Sequence, residues 1–144
     1  MTRHDKIHVG VCDYLKSQYP NVPFTSDPSG LKTSIGMAKR LKRMRSRGRI
    51  PDMIIFYPSR HYSGLFIEIK LDKSQVFTRS GKMRKSDRIR GQADMLRKLN
   101  NLGYAATFGF GFGHIKKIID TYMDEKPIPI IDSEQVLQNG EINA

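Results

Sequence analysis

The sequence predicts a single-domain α/β fold, on three observations: apolar residues at helical spacing in four stretches, apolar runs of strand length between them, and a chain of 144 residues. That length supports one hydrophobic core and is too short for two. Hydrophobic residues make up 38% and charged residues 27%, close to globular averages, which argues against wholesale disorder.

Ile7, Val11, Tyr14 and Leu15 recur at helical spacing, and Thr2 followed by Asp5 resembles a capping box, so a first helix is expected over residues 3–18. Residues 20–34 carry Pro20, Pro23, Pro28 and Gly30, which predict a loop with room for a short strand around 22–25. Met37, Leu41 and Met44 then mark one face of a second helix whose remaining circumference is basic, ended by Gly48 and Pro51.

The runs 53–57 and 65–71, joined by a turn-rich 58–64, predict a buried β-hairpin. Residues 72–85 are polar and without apolar period, and are expected to form a mobile surface loop. Ser86 can cap a helix with Ile89, Ala93, Leu96 and Leu99 inward and Gly103 as its stop. A third strand is expected over 104–112, with Tyr104, Ala106, Phe108, Phe110 and Phe112 on one face and Gly109 and Gly111 on the other. Ile115, Ile118, Ile119 and Tyr122 define a last helix, and Pro127, Pro129 and Asn139-Gly140 predict an extended tail that can close into a small hairpin.

Lysine and arginine number 25 against 14 acids, for a net charge of +11. Such a surplus points to a polyanionic partner, nucleic acid above all. Fifteen of these cations fall in two segments. Residues 39–49 hold Lys39, Arg40, Lys42, Arg43, Arg45, Arg47 and Arg49 with no acid; residues 79–98 include Lys82, Arg84, Lys85 and Arg88. They are candidate phosphate contacts, one segment before and one after the charged hairpin. No run is long enough to cross a bilayer, no apolar signal region follows the amino terminus, and the single Cys12 excludes both an internal disulfide and a cysteine-rich zinc site. An intracellular protein is expected.

The chemistry concentrates in the hairpin. If Tyr57 and Gly64 lie roughly opposite, antiparallel pairing sets Asp52 beside residue 69, close to Glu68 and Lys70, which share one strand face. Charges inside an apolar hairpin are costly unless paired or bound to a metal. Two carboxylates can supply oxygen ligands to Mg²⁺, with water and phosphate oxygens completing the shell. Lys70 could orient or deprotonate an attacking water, or balance charge in the transition state. Gln92 falls on the inward stripe of its helix, where it can satisfy a strand carbonyl, hold the lysine or contact a phosphate.

In this order the residues resemble the virus-type replication-repair nuclease (VRR-NUC) domains, a branch of the PD-(D/E)xK nuclease superfamily. The resemblance runs from Ile7 to Tyr122: leading helix, Ser29-Gly30 loop, basic helix, Pro51-Asp52, Phe66-Ile67-Glu68-Ile69-Lys70, Gln92 in a helix, Gly103-Tyr104, then a strand and a helix. It implies a restriction-endonuclease-like core over residues 1–124, with a central mixed sheet flanked by helices. Residues 125–144 are then a C-terminal extension, docked on the same or a partner subunit.

It further implies cleavage of DNA with Mg²⁺ or Mn²⁺. Asp52, Glu68 and the Ile69 backbone carbonyl would be metal ligands, Lys70 catalytic base or stabiliser, and Gln92 the accessory residue. Branched DNA such as a four-way junction, met in replication, recombination or repair, is the implied substrate, and a homodimer would match its two-fold symmetry. Short members of this kind occur in phages and bacteria, so the cytoplasm of a bacterial or phage-infected cell is the expected location. The competing readings are a non-catalytic basic DNA-binding module and an RNA-directed nuclease.

Two departures stand out. The family often carries a glutamate near the metal in its first helix, whereas this chain offers His4, Asp5 and His8. Of these His8 is the favoured candidate, as a ligand or a group supporting one, although a lone helical histidine is more often ordinary structure. Gly48 also lies one residue farther from Pro51-Asp52 than the family pattern.

Overall fold

The computed structural model describes residues 1–27 and 33–134, together with the backbone of 137–138 and 141–142. The expected Ser29-Gly30 loop and Asn139-Gly140 turn lie outside the described residues.

Helix α1 (Arg3–Gln18) starts as its sequence dictates. The Asp5 N–H donates to the Thr2 hydroxyl and the Thr2 N–H to the Asp5 carboxylate, a complete capping box. Strand β1 (Phe24–Ser26) follows, then α2 (Ile35–Arg43), capped by Ser34. Strands β2 (Met53–Ile55) and β3 (Leu65–Lys70) form the expected hairpin, α3 (Asp87–Asn101) is capped by Ser86, and β4 (Ala105–Phe110) runs directly into α4 (Gly111–Met123). Two short strands, β5 (Leu137–Gln138) and β6 (Glu141–Ile142), pair antiparallel at the end of the chain.

The main sheet has the order β1-β2-β3-β4. Its first two pairings are antiparallel and β3·β4 is parallel, so the sheet is mixed. Strand β3 is central and all six of its residues are buried, which is why it reads as a nearly continuous apolar run. Alternation divides its side chains between two cores. Leu65, Ile67 and Ile69 pack with Val11 and Leu15 of α1 and with Ile115, Ile118, Ile119 and Tyr122 of α4. Phe66 faces the other layer, with Ala106, Phe108 and Phe110 of β4 and Ile89, Ala93, Leu96 and Leu99 of α3. The result is a three-layer α/β/α arrangement.

Behind α4 the chain returns along β4. The Phe108 N–H donates to the Ile131 carbonyl and the Ile131 N–H to the Thr107 hydroxyl, both at 2.9 Å, with Ile128 and Ile131 buried. This segment covers the outer edge of the sheet on its own chain.

Four expectations need correction. The strand expected over 104–112 stops at Phe110. Gly111 takes a φ of +78°, which turns the backbone, and the Phe110 N–H is capped by His114 Nδ1 at 2.9 Å, so Phe112 belongs to α4 and is partly exposed. Residues 72–85 are not a mobile surface loop: Val76 and Phe77 are buried in the α3-side core, and Phe77 bridges to Met83. Three scattered apolar residues sufficed where no period was visible. The hairpin register is one residue off, pairing Met53 with Ile67, which sets Asp52 level with Glu68 rather than residue 69. Finally, the Met37, Leu41 and Met44 face of α2 is not packed inward. No residue of α2 is buried and Met44 is 74% exposed, because the helix lies outside both cores.

Candidate active site

The site begins where β2 starts. Pro51 and Asp52 lead into the strand, and the Ile69 N–H of the neighbouring strand donates to Asp52 Oδ2 at 2.8 Å. The Asp52 backbone carbonyl accepts from the Asp27 N–H at 2.8 Å, so the turn is held from both sides. On β3, Glu68 and Lys70 share the α3-facing side with Phe66, as alternation requires. Their side chains are deeply sheltered, with Glu68 8% and Lys70 7% exposed. From α3, Gln92 Nε2 donates to Glu68 Oε1 at 3.0 Å. The structure thus brings Asp52 at the start of β2 and Gln92 of α3 to the Glu68 and Lys70 pair of β3, from three separate stretches of the chain.

His4, in the first turn of α1, closes the site from the other side. Its Nε2 donates to the Ile69 carbonyl at 3.1 Å and lies 3.5 Å from Asp52 Oδ2. His8, the favoured candidate from sequence, is engaged elsewhere, with Nε2 hydrogen-bonded to the Ser26 hydroxyl at 2.8 Å. The two histidines sit one turn apart on one face of α1, with ring centroids 6.2 Å apart. Spacing alone could not tell which reaches the carboxylate. The capping box was the available signal, since it fixes the helix start and leaves His4 in the turn nearest the strand ends.

These groups titrate abnormally for physical reasons. Burial pushes the Glu68 carboxyl up, and the Asp52 charge pushes it further, to about 8, against the opposing pull of Lys70. Burial also acts to raise Asp52, but hydrogen bonds from His4 and the Ile69 N–H, with the charges of His4 and His8, outweigh it and hold Asp52 below the usual carboxylate range. Lys70 is lowered, first by burial and then by the positive charges of Arg88 and Arg49, with Glu68 and Asp52 opposing. The hydrogen bond to Asp52 leads the interactions that raise His4.

Asp52, Glu68, Lys70 and His4 open on a cleft of about 530 Å³. Its walls include Thr2, His4 and Asp5 from the start of α1, Ser86, Arg88 and Ile89 from the start of α3, and Arg49, so two helix N-termini and two guanidinium groups face it. Both features favour an anion. A second hollow of about 480 Å³ is lined by Lys42, Arg45, Arg47 and Arg49 with Leu41 and Gly48, and Arg49 borders both.

The other basic candidates are not brought to the carboxylates. Lys39, Arg40 and Arg43 are exposed on α2, Lys82 and Lys85 are exposed before α3, and Arg84 donates to the Ser74 carbonyl. Arg45 pairs with Asp27 at 2.7 Å.

The donor set fits a hard divalent cation in an open site. Asp52, Glu68 and the Ile69 carbonyl offer oxygen, and Gln92 Oε1 is buried without a hydrogen-bond partner, as expected of a polar group awaiting one. Among the described residues no group of three or more His, Cys, Asp or Glu side chains is placed to hold a metal ion, so the Ile69 carbonyl, water and phosphate oxygens would have to complete the shell around the two carboxylates.

A mixed four-stranded sheet with α1 and α4 on one face and α3 on the other is a restriction-endonuclease-like fold. The same course is followed by a solved structure described as a "VRR_NUC domain protein", with a TM-score of 0.62, 22% sequence identity, and coverage of 94% of this chain and 98% of that one. The chain therefore has a VRR-NUC-like fold. No protein-family model matches the sequence, and no curated protein matches it. No helix among the described residues is long and apolar enough to cross a membrane.

Proposed function

We propose that the chain is a metal-dependent nuclease hydrolysing DNA phosphodiester bonds. The observation that carries this reading is the convergence of Asp52, Glu68 and Lys70 on one cleft edged by Arg49 and Arg88, with Gln92 bonded to Glu68 from α3. Asp52, Glu68 and the Ile69 carbonyl would hold Mg²⁺ or Mn²⁺. Such an ion, when bound, activates water and stabilises charge on the phosphodiester.

The chain's own residues prepare the rest. Arg49, Arg88 and the helix starts attract and orient a phosphate at the cleft mouth. Lys70, with its proton loosened by burial and the neighbouring guanidinium charges, is suited to take a proton from water at Nζ or to return one. Gln92 holds Glu68 in a fixed orientation from a separate helix. The hollow sharing Arg49 extends the basic surface away from the cleft, along a path for a nucleic-acid backbone.

The basic residues at the cleft offer charge to a phosphate backbone and assign no arginine to a groove edge, so the reading favours selection by DNA structure. Branched DNA and four-way junctions are the proposed substrates, and a homodimer would supply the paired cuts a junction needs. The test is cleavage of linear duplex, single-stranded, flap and four-way DNA and of RNA, with and without Mg²⁺ or Mn²⁺. Metal-dependent cutting of DNA that is strongest on branched forms is expected. Equal cutting in chelator, or cutting of RNA alone, would overturn the proposal.

A further inference from the structure

We propose that the basic hollow beside the carboxylate cleft is a pocket for one unpaired base of the bound DNA strand, so that the chain selects DNA with an unstacked nucleotide next to the phosphate it cuts. The inference rests on the nuclease reading above and names the substrate feature that reading would recognise. Its own support is the make-up and position of the hollow. It encloses about 480 Å³, within the roughly 300–1,000 Å³ of pockets that hold small organic ligands. Arg49 belongs both to its wall and to the wall of the cleft that holds Asp52, Glu68 and Lys70.

A site for phosphate alone needs cations and gains nothing from an apolar wall. This hollow has both. Ala38 and Leu41 stand one turn apart on α2, and the aliphatic stems of Lys42 and Arg45 complete that side. No residue of α2 is buried, so packing within the chain does not account for this apolar face.

Arg45 differs from the other cations of the hollow. Its guanidinium is paired with the Asp27 carboxylate at 2.7 Å, so it lines the hollow as a fixed plane with its charge offset, and such a plane is a stacking surface for an unstacked base. Arg47 and Arg49 flank Gly48, whose φ of +85° turns the chain there. With Lys42 they supply charge for the phosphates on either side of that base.

The same ion pair ties the hollow to the chemistry. Asp27 holds Arg45 through its side chain, and its backbone N–H donates to the Asp52 carbonyl at 2.8 Å. One residue thus fixes the stacking wall relative to Asp52. A base seated against Arg45 and Leu41 hands its phosphate to Arg49, and the strand continues into the cleft. A paired base must leave its stack to enter, a cost that is least for a nucleotide already unpaired. Branch points and flaps are favoured over continuous duplex for that reason.

The experiment uses the full chain in chelator, with two branched duplexes that differ at one residue. The branch point carries either an unpaired 2-aminopurine nucleotide or an abasic residue. Fluorescence anisotropy gives both affinities, and the 2-aminopurine emission reports the base leaving its stack. Wild type is expected to bind the base-bearing branch about tenfold more tightly than the abasic one, with a rise in emission. Leu41→Gln replaces the apolar wall with a polar side chain at unchanged charge, and Ala38→Gln does so from an exposed position that folding does not depend on. In either variant the ratio should fall toward one, whereas Arg47→Gln should weaken both duplexes alike.

Equal wild-type affinities for the two branches would overturn the inference and leave the nuclease reading standing, since a surface for phosphate alone binds them alike. A preference that survives in both Leu41→Gln and Ala38→Gln would also overturn it, because the base would then sit elsewhere. Failure to bind either branch would remove the DNA-directed reading and this inference with it.

Discussion

Gln92 and Glu68 stand 24 positions apart in the chain, yet the amide of one donates to the carboxylate of the other at 3.0 Å, inside the layer between α3 and β3. The remaining amide oxygen of Gln92 is buried and has no hydrogen-bond partner. A polar group in that condition costs about 1–3 kcal/mol of folding stability. The arrangement suits a site that orients a carboxylate rather than one that maximises stability.

Replacing Gln92 with Met keeps much of the volume and removes the orphan oxygen. Urea denaturation of the metal-free protein should show stability within about 1 kcal/mol of wild type, because removal of the orphan oxygen offsets loss of the donor to buried Glu68, while cleavage falls because Glu68 loses its orienting partner. A variant that unfolds readily yet cleaves normally would mark Gln92 as a purely structural residue.

Glu68 should give the metal-free protein a distinctive pH dependence. Its carboxyl titrates at about 8 in the folded chain against 4.5 for an unperturbed one, so the folded chain holds this proton more tightly than the unfolded chain does. The stabilisation is therefore fully present below the lower value and is lost as pH rises toward the upper one. Compared in chelator at about pH 5 and about pH 9, wild type should lose stability relative to Glu68→Gln, and the variant should be the more stable protein at the higher pH. Parallel pH profiles for the two proteins would contradict the assigned shift.

Asp52 combines a structural bond with a proposed catalytic one, and two substitutions separate them. Asp52→Asn retains an oxygen to accept from the Ile69 N–H and loses only the charge beside His4, so it should cost less stability than removal of the acceptor altogether. Asp52→Ala leaves that N–H without its acceptor and should cost about 1–2 kcal/mol. Cleavage should fall on the order of 10³-fold in both, with DNA binding retained, as read by gel shift and a single-turnover assay. Full activity in the asparagine variant would remove Asp52 from the metal site.

Gly109 is a packing requirement. A Cβ built there would lie 2.6 Å from Ile115 Cγ1 and 3.0 Å from Ile67 Cγ2, between β4, β3 and α4. Gly109→Ala should cost about 1–3 kcal/mol through overpacking, read as a lower denaturant midpoint with an unchanged slope. A neutral effect would show that α4 can move away from the sheet.

The inward stripe of α3 was legible because Ile89, Ala93, Leu96 and Leu99 repeat at the helical period, and all four are buried. The same reasoning identified the buried face of α4. It failed for α2, where a comparable stripe of Met37, Leu41 and Met44 has no layer to lie against. An amphipathic pattern records what a helix could bury, and only the neighbouring elements decide whether it does. The segment 72–85 failed in the opposite sense, since Val76, Phe77 and Met83 pack inward without any local period.

For the candidate site, the sequence by itself determined the residue types and their strand faces: Glu68 and Lys70 lie two apart on β3 and must share a side, and Pro51-Asp52 must stand where a neighbouring strand begins. Those are consequences of local geometry and chain order. The tertiary structure decided the register that sets Asp52 level with Glu68, the choice of His4 over His8, and the approach of Arg49 and Arg88 to the cleft. Each depends on how separate elements settle against one another, and a one-residue slip or a one-turn difference leaves the local pattern of apolar and polar residues almost unchanged while moving the functional atoms by several ångströms.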